Sequence, residues 1–392
     1  MRKSYKLSDV FDLQMGKTPD RHNTEYWENG VHPWISIADL SNNGKFVETT
    51  KEFITERAVF ETGIKPIYPG TVIMSFKLSV GKVAMVRTKP HIAYSNEAIM
   101  AFEVRNDIPE NEQPLNEYVY YLLSSLNFDN IGNKAVMGKT LNKAILQDLS
   151  VKIHPKEEQC KIIDVLTQCD SLIAKRKQQL SKLDELVKAR FVELFGDDIK
   201  KSDLTISDIA EEATVGIANS ATHAYAETGV VMLRNQNIRV NYLDDSDLIY
   251  IKPDFAEKYK NKALQENDIL VTRTGANVGM ACIVPPKYTG CQTFTTLILR
   301  LRKDIDISPR FVCHYINSPI GKDFVDENKI GGAQPNFGAR QLALMPIVIP
   351  SKEKQNAFDK CVEQTDKSKL EIQKSLEKLE LLKKALMQKY FG

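Results

Sequence analysis

The chain has 392 residues, 42% hydrophobic and 27% charged, enough for two or more cores of ordinary globular composition. Its formal charge of +2 and pI near 8.0 exclude the strongly basic balance that alone would announce nucleic-acid binding, so any positive surface must come from local clustering. No run approaches the roughly 20 apolar residues that span a bilayer, the opening Met1-Arg2-Lys3-Ser4-Tyr5-Lys6 lacks a secretory core, and six cysteines without a CxxC pair or zinc spacing predict a cytoplasmic, reduced, metal-free protein.

In chain order, residues 1–154 carry short β-rich runs at 71–76, 82–86 and 98–104, separated by Gly, Pro and Asn, then a helical patch near 115–125. At 155–196 the pattern changes. Ile162, Leu166, Cys169, Ile173, Arg176, Leu180, Leu183 and Val187 alternate spacings of four and three, the seam of helices that supercoil on each other. Pro155 suits the helix start, and Glu157 and Glu158 favour the first-turn dipole. A short connection at Gly196-Asp197-Asp198 leads into a second globular stretch, 197–349, with β-rich runs at 269–272, 280–284 and 295–301 and a helical patch at 309–317. Residues 350–392 repeat the seam with Phe358, Val362, Thr365, Lys369, Ile372, Leu376, Leu379, Lys383 and Leu386. Arg176, Thr365 and Lys369 interrupt it with polar groups that cost stability but fix register; Lys369 and Lys383 alternatively mark a solvated face.

The chain matches itself at an offset of 196. Lys156-Glu157-Glu158-Gln159 lies over Lys352-Glu353-Lys354-Gln355, and Leu194-Phe195-Gly196 over Tyr390-Phe391-Gly392. Upstream the offset drifts by two or three residues. Val72-Ile73-Met74-Ser75-Phe76-Lys77 corresponds to Ile269-Leu270-Val271-Thr272-Arg273-Thr274, and Tyr118-Val119-Tyr120-Tyr121-Leu122-Leu123 to Phe311-Val312-Cys313-His314-Tyr315-Ile316. The predicted fold class is α+β: two mixed α/β modules related by internal duplication, separated by two long helices that pair as an antiparallel coiled coil.

No catalytic constellation is repeated in the two halves. The run from Gly132 to Gly138-Lys139-Thr140 has one residue too many for a phosphate loop, and its counterpart Ala333-Gln334-Pro335-Asn336 drops the Gly-Lys-Thr. The six histidines form no HExxH, and there is no GxSxG elbow. What recurs is polar side chains at strand ends and loops. Ser75 and Lys77 match Thr272, Arg273 and Thr274, with Asn277 in the same loop; Lys139, Thr140 and Asn142 lie near the equivalents of Gln334, Asn336 and Arg340. Arg234-Asn235-Gln236-Asn237 follows the apolar run 230–233. Arg, Lys, Asn and Gln are the types that read purine edges in the major groove, while other polar residues anchor phosphates. Hydrophilic turns would look the same.

Gly16-Lys17-Thr18-Pro19, Tyr26-Trp27 and Pro33-Trp34-Ile35-Ser36-Ile37-Ala38-Asp39-Leu40, with Gly332-Ala333-Gln334-Pro335-Asn336-Phe337 and Pro346-Ile347-Val348-Ile349-Pro350, resemble the specificity subunits of type I restriction–modification systems. The resemblance covers essentially the whole chain. It implies two target recognition domains, 1–154 and 197–349, each reading half of an interrupted, asymmetric site in double-stranded DNA, with conserved helices 155–196 and 350–392 setting the spacer. It adds Lys17 and Thr18 to the candidate DNA contacts. Two modification (methyltransferase) subunits bringing S-adenosylmethionine, and restriction subunits using ATP and Mg, are the expected partners; no cofactor, metal or membrane is expected for this chain, nor catalysis. The first half lacks the Gln-Pro-Asn of the second, and the second lacks the Thr-Pro and Tyr-Trp of the first. A duplicated coiled-coil scaffold that binds protein or glycan remains the alternative, with an unrecognised nuclease behind it. A fragment of a fused restriction enzyme is a further alternative, weakened because the second repeat ends at Gly392.

Overall fold

The computed structural model of the chain describes residues 3–77, 79–88, 92–128, 133–135, 138–218, 221–332 and 335–392, with backbone only for residues 3, 133–135 and 138–140. It divides into two compact units. The first comprises residues 1–176 and 375–392, the second 177–374, so each combines one globular part with a stretch of both long helices.

In the first unit the main sheet runs Phe11–Met15, Ile99–Val104, Val72–Ser75, Val83–Val86, Phe46–Val47. Its central strand is buried at every position and apolar at all but Ser75, because both faces are covered. Val72 and Met74 join one core with Phe11, Phe102 and Tyr118, while Ile73 joins another with Ala84, Val86 and Ala101. A second sheet, ordered Glu52–Ile54, His32–Ile35, Tyr94–Ser95, buries Trp34 against Ile54 and Tyr94. The second unit repeats the plan. Its main sheet runs Ala210–Val215, Leu297–Leu301, Ile269–Val271, Ala281–Ile283, and its other sheet Tyr225–Ala226, Ile249–Ile251, Val230–Arg234, Gln292–Phe294. The predicted runs and the two helical patches, Asn116–Ser125 and Pro309–Asn317, are all present. The helix Pro319–Asn328 is not foreseen by the sequence reading; Ser318 caps it and Pro319 opens it.

Each globular part is fastened to a long helix by the same device. Buried Gln159 accepts from the Leu115 amide (2.9 Å) and donates to the His154 carbonyl (2.8 Å). Buried Gln355 accepts from the Ser308 amide (2.6 Å) and donates to the carbonyls of Pro350 and Asp306 (both 2.9 Å). In both cases the amide belongs to the N-cap of the helix that covers the sheet.

The first long helix spans Lys156–Lys200 and the other Lys352–Phe391. Gly196-Asp197-Asp198 is therefore helical rather than a connection. A helical glycine costs about 0.5–1 kcal/mol, less than the roughly 1.5–3 kcal/mol for burying each of Phe195 and Ile199, one turn apart in the second unit's core. All the seam positions are buried or half-buried: Ile162, Leu166, Phe358, Val362 and Leu376 are buried, and Ile173, Leu180, Leu183, Ile372 and Leu379 half-buried. In the second unit Asp184 pairs with Lys369 and Asp198 with Lys354, so numbers rise on one helix as they fall on the other: the pairing is antiparallel. In the first unit Asp170 meets Lys383 at 2.5 Å. Lys369 and Lys383 thus sit in inter-helix ion pairs.

Candidate nucleic-acid interface

Several of the residues singled out in the sequence lie in or beside the loops at strand ends, where backbone hydrogen bonds show that the two units share a frame. After Val72–Ser75, the Ser75 amide donates to the Lys82 carbonyl (2.9 Å), the Gly81 amide to the Ser75 carbonyl (2.9 Å), and the Lys82 amide to Ser75 Oγ (3.1 Å). Thr272 repeats each bond with Met280 and Gly279 at 2.8–2.9 Å, and the two hydroxyls donate to the carbonyls of Ser79 and Asn277. Gly81 and Gly279 have φ of +89° and +81°, a backbone favouring glycine. Next, Leu141 N donates to the Phe76 carbonyl (2.9 Å) and Phe337 N to that of Arg273 (2.8 Å). Finally Gly16 and Gly216 press against the strand that ends the second sheet. A Cβ on them would lie 2.3 and 2.4 Å from the carbonyl oxygens of Ser95 and Thr293. These bonds make Phe76 the counterpart of Arg273, Lys77 of Thr274, and Thr140 of Asn336.

In the second unit the candidates come together. Asn235 Nδ2 donates to Thr274 Oγ1 (3.1 Å), Thr274 bridges Asn336 through the backbone, and Arg273 Nε donates to Asn336 Oδ1 (3.1 Å). Asn277 is exposed at the tip of the same loop, and exposed Arg340 lies in the short helix Ala339–Ala343 that follows. Arg234 is held by the Asp247 carboxylate at 3.0 Å, and hydrogen bonds from Ser246 keep the nearby Asp244 carboxyl below the usual range. Gln334 lies outside the described residues.

Two predicted contacts are withdrawn from the surface. Ser75 is fully buried and bonded to its own hairpin, as above, so it presents nothing to a groove. Asn237 is buried and ties its loop to the carbonyls of Asp244 (3.0 Å) and Asp247 (2.9 Å) while accepting from the Arg234 amide (2.9 Å). Polar type and loop position gave both the look of readers; the hydrogen-bonding needs of tight turns explain them instead.

The first unit's candidates are more dispersed. Lys77 lies near the Phe76 ring (5.2 Å). Exposed Asn142 caps the helix Lys143–Asp148, accepting from the Ile145 amide at 2.8 Å. Lys139 and Thr140 belong to the strand Gly138–Thr140, antiparallel to Asn133–Ala135, so this run is a hairpin and not a phosphate loop; their side chains lie outside the described residues. Lys17 Nζ donates to the Thr62 carbonyl (2.6 Å) and Thr18 donates to Glu97, which places both on the loop following Phe11–Met15. The sequence reading missed Arg21, whose guanidinium lies over the rings of Trp27 (3.9 Å) and Trp34 (4.6 Å) while pairing with Glu52. The signal available was that both tryptophans of the chain lie in this short stretch.

Among the described residues no group of three or more His, Cys, Asp or Glu could hold a metal ion, and no helix is long and apolar enough to cross a membrane. The family model of the type I restriction modification DNA specificity domain matches twice, at residues 2–184 and 203–383. The chain belongs to this family. Its relatives include the specificity subunit of the type I restriction enzyme MjaIX of Methanocaldococcus jannaschii, 26% identical over 310 residues, 72% of this chain and 69% of the relative. The fold resembles that of the S subunit of a type I restriction–modification system from M. genitalium (TM-score 0.52, 14% identity, 100% of this chain and 96% of the other). It also resembles a chain solved in a study of complex assembly and conformational transition of the type I R-M system (TM-score 0.63, 14% identity, 99% and 97%). The family's duplicated domain is the repeat read in the sequence.

Proposed function

We propose that this specificity subunit recognises a bipartite, asymmetric site in double-stranded DNA, one half through each unit, and is itself non-catalytic. The observation that carries the reading is a shared frame with unlike side chains. The Ser75 and Thr272 hairpins have the same hydrogen bonds, yet Phe76 faces the role of Arg273, Lys77 that of Thr274 and Thr140 that of Asn336. A fixed scaffold with divergent tips is what two different half-sites require. Lys17, Thr18, Lys77, Lys139, Thr140 and Asn142 are the proposed contacts of the first unit; Arg234, Asn235, Arg273, Thr274, Asn277, Gln334, Asn336 and Arg340 those of the second.

The helix pair sets the spacer and docks two modification subunits, which supply S-adenosylmethionine for adenine methylation; restriction subunits contribute ATP- and Mg-dependent cleavage. The complex works in the cytoplasm. Methylome sequencing of a host carrying the subunit should return a two-part motif. Exchanging residues 1–154 for another recognition domain should change one half only, and inserting about four residues in one seam should alter the spacer alone. If both halves change on the exchange, the modular account fails. Binding by a protein- or glycan-directed scaffold would lack the steep salt dependence of phosphate contacts.

A further inference from the structure

We propose that Arg273 reads a guanine in the half-site recognised by the second unit, with Asn336 as the residue that orients it; this rests on the DNA-reading function above. The backbone of Arg273 is fixed on both sides. Its carbonyl accepts from Phe337 N (2.8 Å), the preceding Thr272 is pinned inside its hairpin, and the following Thr274 is tied to Asn235 (3.1 Å) and bridged to Asn336. The side chain is fixed as well, by the bond from Nε to Asn336 Oδ1 at 3.1 Å. That bond occupies the inner edge of the guanidinium. The two terminal nitrogens have no partner among the described residues, and they form the planar pair of donors that fits guanine O6 and N7.

The partner's chemistry matters as much as its position. Arg234, whose neighbour Asn235 bonds Thr274, is offset by the Asp247 carboxylate at 3.0 Å. Asn336 is a neutral amide, so Arg273 keeps its full charge for the purine edge. A phosphate contact needs only a cation, which a loosely held lysine provides; immobilisation at several points is useful where two hydrogen bonds must be met in one plane, because the ordering entropy is already lost before binding. In the first unit Phe76 occupies the corresponding position and is buried, so this contact belongs to the second unit alone.

The test compares the wild type with Arg273→Lys, Arg273→Ala and Asn336→Ala, in the native host by methylome sequencing, and in the assembled complex by competition binding to duplexes that differ at one base pair. The expected result is loss of discrimination at a single G·C pair of one half-site, by about ten- to a hundredfold for both Arg273 variants. Asn336→Ala should relax the same position to a smaller degree. Arg273→Lys retains the charge, and continued discrimination at the other base pairs of the same half-site shows that the second unit is folded. Weakening that is uniform across sequences would make Arg273 a phosphate anchor and overturn the proposal; so would unchanged preference at every position. Wild-type protein without any two-part motif would overturn the DNA-reading function itself, a result distinguishable because it does not depend on Arg273.

Discussion

Replacing Gln355 with leucine should destabilise the second unit by roughly 3 kcal/mol. The amide is buried and makes three bonds: Ser308 N donates to Oε1 at 2.6 Å, and Nε2 donates to the carbonyls of Pro350 and Asp306 at 2.9 Å. Leucine has a similar volume, so no cavity opens and the loss is one of hydrogen bonding. Asp306 is exposed and its carbonyl can take water instead. The Ser308 amide is left in part-buried and the Pro350 carbonyl in buried surroundings, and orphaned groups of this kind cost about 1–3 kcal/mol each. For a body of this size, 3 kcal/mol lowers the midpoint by roughly 6–12 °C. Gln159→Leu removes two bonds, to Leu115 N and the His154 carbonyl, and should cost the first unit a comparable amount. Scanning calorimetry of the single and double variants checks both values, and the two effects should add within about 0.5 kcal/mol because the sites share no partner. A loss below about 1 kcal/mol for Gln355→Leu, or a gain, would refute the claim that these glutamines fasten the helices to the globular parts.

Three further outcomes follow from the same structure. His314 is packed against the Phe358 ring (5.1 Å), and burial, with Arg310 and Lys369 nearby, pushes its pKa down to about 4. Its neutral form is the stable one in the folded state, so stability is full above the unfolded pKa near 6.5 and falls by about 3 kcal/mol as pH drops towards 4; His314→Gln should flatten this part of the stability–pH curve. Gly279→Ala places a Cβ 2.7 Å from Val325 Cγ1 at φ +81°, whereas at Gly275, with φ +91°, a Cβ meets nothing within 4 Å. Urea unfolding should therefore show a loss of about 1–2 kcal/mol for Gly275→Ala and an additional 1 kcal/mol or more for Gly279→Ala. Lys383→Met removes the pair with Asp170, whose other oxygen accepts from Tyr121 Oη at 2.8 Å; the pair is part-exposed, so the cost should stay at or below about 1 kcal/mol and shrink with added salt.

How much was legible depends on whether a feature is written in side chains or in backbone. The strand Val72–Ser75 and its twin Ile269–Val271 are readable because coverage on both faces demands continuous apolar runs, and the seam is readable because its 3.5-residue period is carried by Ile162, Leu166, Phe358 and Val362. The helix through Gly196 was not, since local propensity argues against it and only the burial of Phe195 and Ile199 decides the matter. The equivalence of Gly16 and Gly216 is legible, since Leu7-Ser8-Asp9-Val10 and Ile206-Ser207-Asp208-Ile209 precede them, but their close approach to a strand carbonyl is seen only when the sheets are assembled. The same distinction separates the polar candidates. Ser75, Asn237 and Arg273 look alike as polar residues at strand ends, but the first two satisfy backbone groups inside their own turns, whereas Arg273 is held by Asn336 with its terminal nitrogens left over among the described residues. Residue type proposes a reader; the count of donors already engaged determines whether any remain to read with.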